Sequence, residues 1–204
     1  MKCCILDYGS GNVKSMLNML ESMQYDAIIS NKIGEIQRCS HIILPGVGSF
    51  GSAMKNIQNN LPLDALYEKV LNENTPILGI CVGMQVLASF GEEFGVNVGL
   101  GWIPGKVVKL NNQNLPLPHV GWNNVEIKKE TELLRGLPVN SDFYFTHSYK
   151  FVLDNDAHEV AKTSYEDNFT TIVQKDNIFG VQFHPEKSQR AGQILLSNFM
   201  GRVT

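Results

Sequence analysis

The chain has 204 residues, 43% of them hydrophobic and 18% charged, which suits one globular domain with a continuous core. Its formal net charge is −3 and its isoelectric point about 5.9, with no block of like charge. That balance excludes the basic surface that recruits nucleic acid or an anionic membrane.

The opening MKCCILDYGSGN carries one Lys and an apolar run too short for a secretory signal. No apolar stretch approaches the roughly 18 residues of a membrane span, so a cytosolic protein is expected. CCILD reads as a short buried strand. The loop GSGN follows, and VKSMLNMLESM has apolar residues at helical spacing. DAIIS and HIILPG are the next two strands. ALYEKVLNE is expected to be helical, TPILGI a fourth strand ended by Cys81, and VGMQVLASF a helix. This alternation predicts an α/β fold with a mostly parallel central sheet flanked by helices.

After Gly99 the texture changes. KVVKL, NNVEIKK, DFYFTHSYKF, HEVAKTS, TTIVQK and NIFGVQF are short β-rich segments separated by Asn, Asp or Gly. They predict additional antiparallel strands in the second half. AGQILLSNFM closes the chain as a helix. No linker, repeat or low-complexity tract divides residues 1–204, which read as a single domain.

Four cysteines are present, Cys3, Cys4, Cys39 and Cys81, with no C-x-x-C pair. They read as buried thiols or one nucleophile rather than a disulfide framework, and no metal site is expected. Cys3 and Cys4 sit in an apolar run and are expected in the core. Cys81 differs. In Gly79-Ile80-Cys81-Val82-Gly83 a strand ends, a reactive residue sits on the turn, and a helix begins at once. This is the layout of a nucleophile elbow with Cys in place of Ser. Flanking glycines allow the sharp turn without a Cβ clash. A thiolate at a helix start is stabilised by free N–H groups and the helix dipole. The Val82 amide would face a developing oxyanion. The plainer alternative is a buried Cys at a strand end.

Far downstream comes His184-Pro185-Glu186. A cysteine nucleophile needs a base, and the base needs an acceptor that orients it. Glu186, two residues on and stiffened by Pro185, can hold one ring nitrogen and leave the other for the thiol. A third motif, the glycine-dense loop from Leu44 to Gly51, follows the third strand, where ligands bind in parallel sheets. Its backbone N–H groups could meet negative charge. Gly9-Ser10-Gly11 does not extend to G-x-G-x-x-G, because Lys14 stands where glycine is needed, and no P-loop is present. Nucleotide binding is therefore not expected.

Together these motifs resemble the class I, triad-type glutamine amidotransferases. DYGSGNVKSM, LPGVGSFGSAM, GICVGMQVL, PHVGWN, YFTHSY and GVQFHPEKSQ look like the glutaminase subunits of imidazole glycerol phosphate synthases. Val82 stands where Leu is common and Thr146 where Val is common. Because the Val82 donor is backbone, its role survives the change. The resemblance implies a three-layer fold, with Cys81 as nucleophile, His184 as base and Glu186 as its orienter. It implies oxyanion donors from Gly46, Val47 and Val82, and an oxyanion strand over Pro45 to Gly48 that reorients. Glutamine would be held by Gly48, Gln85, His147, Ser148 and Tyr149. Asn12, Trp122, Tyr144 and Lys187 would lie near a partner, a (β/α)₈-barrel cyclase that receives ammonia and makes imidazole glycerol phosphate in histidine biosynthesis. No metal or organic cofactor is implied. Two alternatives stay open at this level: a paralogue that supplies ammonia to a sugar-modifying enzyme, and a redox sensor of related fold. The presence of Gln85, His184 and Glu186 beside Cys81 argues against the sensor.

Overall fold

The computed structural model describes residues 2–9, 11–111 and 113–201; Ser10, in the middle of Gly9-Ser10-Gly11, lies outside them. The first part of the chain runs β1 (Lys2–Leu6), α1 (Val13–Ser22), β2 (Asp26–Ser30), α2 (Ile33–Gln37), β3 (His41–Gly46), α3 (Phe50–Asn60), α4 (Leu63–Tyr67), β4 (Ile77–Cys81) and α5 (Val82–Gln85). Strands then dominate: β5 (Phe90–Gly91), β6 (Asn97–Val98), β7 (Gly105–Lys109), β8 (His119–Asn124), β9 (Glu126–Ile127), β10 (Asp142–His147), β11 (Tyr149–Leu153), β12 (Glu159–Tyr165), β13 (Asp167–Lys175) and β14 (Ile178–Val181). Helix α6 (Gln189–Met200) ends the described chain. Among the described residues, no helix is long and apolar enough to cross a membrane.

Twelve of these strands form one sheet in the order β2-β1-β3-β4-β14-β13-β11-β7-β5-β6, with β12 on β13 and β9 on β12; β8 and β10 form a separate ribbon. From β2 to β14 every neighbour is parallel. Every residue of β3 and β4 is buried, as continuous apolar strands covered on both faces must be. Beyond β14 most pairings turn antiparallel. The predicted division into a parallel first half and an antiparallel second half therefore holds, with one addition. Strand β14, from the end of the chain, docks parallel against β4, and Val181 pairs with Ile80. On the other side of β4, Gly46 of β3 pairs with Cys81. Three adjacent strands thus end together, and the residues that follow them meet at one edge.

Three local expectations need correction. The helix expected over VGMQVLASF stops at Gln85. Its carbonyls at Val86, Leu87, Ala88 and Ser89 accept from Leu100, Ile103, Gly101 and Gly99 instead of continuing a helical ladder. Tertiary pairing overrides local propensity there, and Phe90 begins β5. The glycine loop ends earlier than Gly51. Ser49 caps α3 by accepting from the Ser52 amide, a favoured arrangement that starts the helix at Phe50. The helix expected over ALYEKVLNE is α-helical only to Tyr67 and π-helical over Glu68–Asn72. Neither short α2 nor α3 was anticipated.

Candidate active site

Cys81 has φ 55° and ψ −114°, a backbone arrangement that costs a non-glycine residue about 1–3 kcal/mol and clusters at functional positions. The turn is tight because the backbones around it touch. A Cβ on Gly83 would lie 1.8 Å from the Leu44 carbonyl oxygen, and one on Gly46 would lie 2.5 Å from the Gly83 nitrogen. The elbow glycines therefore serve close approach between the start of α5 and the end of β3. With only four residues in α5, the dipole contribution expected from a longer helix shrinks to that of its first N–H groups.

The segment 45–48 is held at its start. Tyr8, fully buried, donates from its hydroxyl to the Pro45 carbonyl at 2.8 Å. Gly46 is packed against Gly83, whereas Gly48 has φ +91° and open space around it, and Val47 is exposed. Within this segment the open space lies at Gly48, where an added Cβ would meet nothing within 4 Å.

On the other side of Cys81, the chain leaves β14 and delivers His184. Its Nδ1 meets Glu186 Oε1 at 2.9 Å, with both side chains buried. Its backbone N–H donates to the Tyr144 carbonyl, and its carbonyl accepts from the Ser188 hydroxyl. His184 Nε2 is buried without a hydrogen-bond partner among the described residues. Burial pushes the ring's pKa down. The Cys81 sulfur and the Glu186 carboxylate more than offset this and hold it at about 9. A raised histidine pKa contributes stability that is fully present below about 6.5 and is lost as pH rises through about 9.

Cys81, His184, Val47, Gly48, Val82, Gln85, His147, Ser148 and Tyr149 line one cavity of about 680 Å³. Nine of the residues named from the sequence thus meet at one place. Gly46 and Glu186 stand behind this wall. Both ring nitrogens of His147 are committed: Nδ1–H donates to the Tyr149 carbonyl at 2.8 Å, and Nε2 meets His119 Nδ1 at 3.1 Å. Since the carbonyl can only accept, the donors run from His119 to His147 to Tyr149. Burial lowers the pKa of His147 to about 3 and that of His119 to about 4, so both rings are neutral struts. Any contact of His147 with a substrate would use its backbone.

The four residues expected near a partner lie outside the cavity. Trp122 and Tyr144 pair edge to face across the β8–β10 ribbon. Lys187 Nζ lies 5.4 Å from the centre of the Tyr144 ring. This group reaches His184 through the Tyr144 carbonyl. Asn12 instead accepts from the Ser15 hydroxyl, at the start of α1, which packs on the 185–187 turn.

Sequence reasoning missed Glu93, Lys109 and Pro118 in the cavity wall and Gln182 beside the sulfur. Lys109, at the end of β7, and Pro118, at the head of PHVGWN, stood in segments read for other reasons; Glu93 lies between predicted elements and carried no signal. Gln182 had one, since it stands two positions before His184 in an extended run. Among the described residues, no group of three or more His, Cys, Asp or Glu is gathered as metal ligands.

Comparison with known proteins agrees with this geometry. The family model of class-I glutamine amidotransferases matches residues 4–203. Imidazole glycerol phosphate synthase subunit HisH 2 of Methanococcus maripaludis is 46% identical over 197 residues, covering 96% of this chain and 97% of that protein. Subunit HisH of Leptospira interrogans is 46% identical over 199 residues, with coverage of 96% and 97%. In fold, the chain superposes on PurLQS from Thermotoga maritima with a TM-score of 0.74 at 16% identity, covering 98% of this chain and 97% of that one. With a strained cysteine elbow, a buried His–Glu pair and relatives matched over nearly their full length, the chain belongs to the class-I glutamine amidotransferases, among the HisH subunits of imidazole glycerol phosphate synthase.

Proposed function

We propose that the chain hydrolyses glutamine and passes the ammonia to a (β/α)₈-barrel cyclase subunit that makes imidazole glycerol phosphate. The observation that carries this reading is the convergence of the Cys81 elbow with buried His184 in the wall of one cavity. Glutamine lies in that cavity, held by Gly48, Gln85, Ser148, Tyr149 and the backbone of His147. The Cys81 sulfur attacks the side-chain amide carbon. The oxyanion that forms is met by backbone N–H groups from Val82 and the Gly46–Val47–Gly48 segment. His184, protonated and oriented by Glu186, gives its proton to the departing nitrogen, and ammonia leaves. A γ-glutamyl thioester remains on Cys81. His184, now neutral, takes a proton from water as the water attacks the thioester carbon, and glutamate leaves as the sulfur recovers its electron pair. Free ammonia near neutral pH is mostly protonated and non-nucleophilic, so a closed path to the acceptor keeps it reactive. The test is to purify the chain with its partner and follow glutamate, ammonia and imidazole glycerol phosphate. A complex that releases glutamate without feeding the cyclase would refute the coupling.

The Glu186→Gln variant should be milder than His184→Ala. The amide oxygen still accepts from Nδ1, but the charge that favours the imidazolium is gone. The acid that protonates ammonia then loses its proton at lower pH. The alkaline limb of kcat/KM, expected near pH 9 from the His184 value, should move acidward, with little change in glutamine affinity. A loss confined to KM would place Glu186 in the substrate pocket instead.

Control by the partner follows from the oxyanion segment. With Pro45 pinned by Tyr8 and Gly48 at a positive φ in open space, the 46–48 segment can present either an N–H or a carbonyl to the oxyanion. One missing donor costs about 10²–10³ in rate. The isolated chain should therefore turn over glutamine slowly and accelerate by about that factor when the partner and its nucleotide substrate bind. Trp122, Tyr144 and Lys187, with Asn12, are the residues we assign to this interface. Equal turnover for the chain, the complex and the liganded complex would end the idea.

A further inference from the structure

Gln182 is fully buried and takes no part in the chemistry above. Its orientation follows from a carbonyl. The Tyr149 carbonyl can only accept, so the Gln85 group that faces it at 3.1 Å is the amide nitrogen. The same nitrogen meets Gln182 at 3.0 Å, so the Gln182 atom there is Oε1. The Gln182 NH₂ is thereby turned the other way, where the Cys81 sulfur lies 3.7 Å from Nε2. The backbone fixes the same arrangement. The Gln182 N–H donates to the Thr171 carbonyl at 2.9 Å. Phe183, the next residue, stacks on Phe143 at 3.8 Å between ring centres. Gln182 and His184, on either side of it, both reach toward Cys81.

We infer that Gln182 holds the reacting sulfur: its amide N–H keeps Cys81 aimed at the cavity and supports the negative charge that the sulfur carries before attack and regains when the thioester is hydrolysed. A buried anion is stable only where donors surround it. His184 gives up its proton during turnover, whereas an amide donor does not titrate and is present throughout the cycle. Gln85 acts through Gln182, so one buried chain runs from the Tyr149 carbonyl in the cavity wall to the nucleophile. The inference rests on Cys81 being the nucleophile proposed above.

The test uses the full-length chain with Gln182→Glu and Gln182→Leu. Glutamate keeps an oxygen for Gln85 but offers the sulfur an oxygen where wild type offers an N–H; leucine removes both contacts. The first readout is the rate at which neutral iodoacetamide labels Cys81, followed by mass spectrometry of its peptide. The second is kcat and KM for glutamine. Loss of a hydrogen bond to a charged group corresponds to about a tenfold fall in rate. Labelling and kcat should each drop by about tenfold or more in both variants, with KM within about twofold of wild type. Wild-type labelling and kcat in Gln182→Glu would overturn the inference, because Gln182 would then serve only as a brace for Gln85. Should the leucine variant fail to melt cooperatively, the glutamate variant still decides. Glutamine hydrolysis by Cys81→Ser would bring down the underlying reading, and the inference with it, a result distinct from any Gln182 outcome.

Discussion

Replacing Cys81 with serine is expected to lower glutamine-dependent turnover by at least about 10⁴-fold, while the complex still uses added ammonium salts. The substitution is close to isosteric, and the site should survive it. Cys81 is buried, and the strain at its φ of 55° belongs to the elbow rather than to sulfur. What changes is the proposed nucleophile. A serine hydroxyl stays protonated where a thiol ionises, and a neutral hydroxyl is a far weaker nucleophile toward an amide carbon. The ammonium arm separates this from misfolding, because the acceptor chemistry would lie on the partner. Cys81→Ala should behave the same way. Glutamine turnover within about tenfold of wild type in either variant would be incompatible with a thioester mechanism. The other three cysteines make a useful internal control: Cys3, Cys4 and Cys39 are buried, and burial raises the pKa of each, so a glutamine-mimicking alkylator should spare them.

The parallel half of the fold could be read from the sequence because strands buried on both faces must be apolar throughout, and HIILPG and TPILGI have that composition. Cys81, His184 and Glu186 could be picked out as candidates because the chemistry proposed for them imposes local spacing, glycines around an elbow and a carboxylate two residues from the imidazole. What brings them together is not local. Insertion of β14 beside β4 is decided by sheet pairing across the whole chain, and nothing in GVQF specifies that neighbour. The early end of α5 has the same origin, since the carbonyls after Gln85 are claimed by residues 99–103. Gln182 and His119 escaped for a further reason. A buried polar side chain is defined by its partners, and those partners are distant in sequence: Gln85 and Cys81 for the first, His147 for the second.

The close contact between the elbow and β3 leads to the largest expected effect on stability. In Gly83→Ala the new methyl would sit 1.8 Å from the Leu44 oxygen and 2.9 Å from its carbonyl carbon. These are backbone atoms, so no rotamer change can relieve the overlap. Strand β3 is buried and paired on both sides, by β1 and β4, so it cannot move alone. Overpacking a well-filled core costs about 1–3 kcal/mol, and more where the surroundings are rigid. A loss of about 3 kcal/mol corresponds to a fall in melting temperature of roughly 6–12 °C for a chain of this size. The damage should also reach the chemistry. Gly46 follows Leu44 by two residues and packs on the Gly83 nitrogen, so any shift that frees the methyl also displaces the proposed oxyanion segment and Cys81. Gly34→Ala is the matched control. Gly34 is exposed in α2, and a methyl there would meet nothing within 4 Å. It should leave turnover unchanged and stabilise the chain by about 0.5–1 kcal/mol, because alanine loses less backbone entropy in a helix. Thermal melts and glutamine turnover of the two variants, measured side by side, decide the matter. If Gly83→Ala melts with wild type and retains full activity, the elbow is not held by contact with β3, and the strain at Cys81 must have another support.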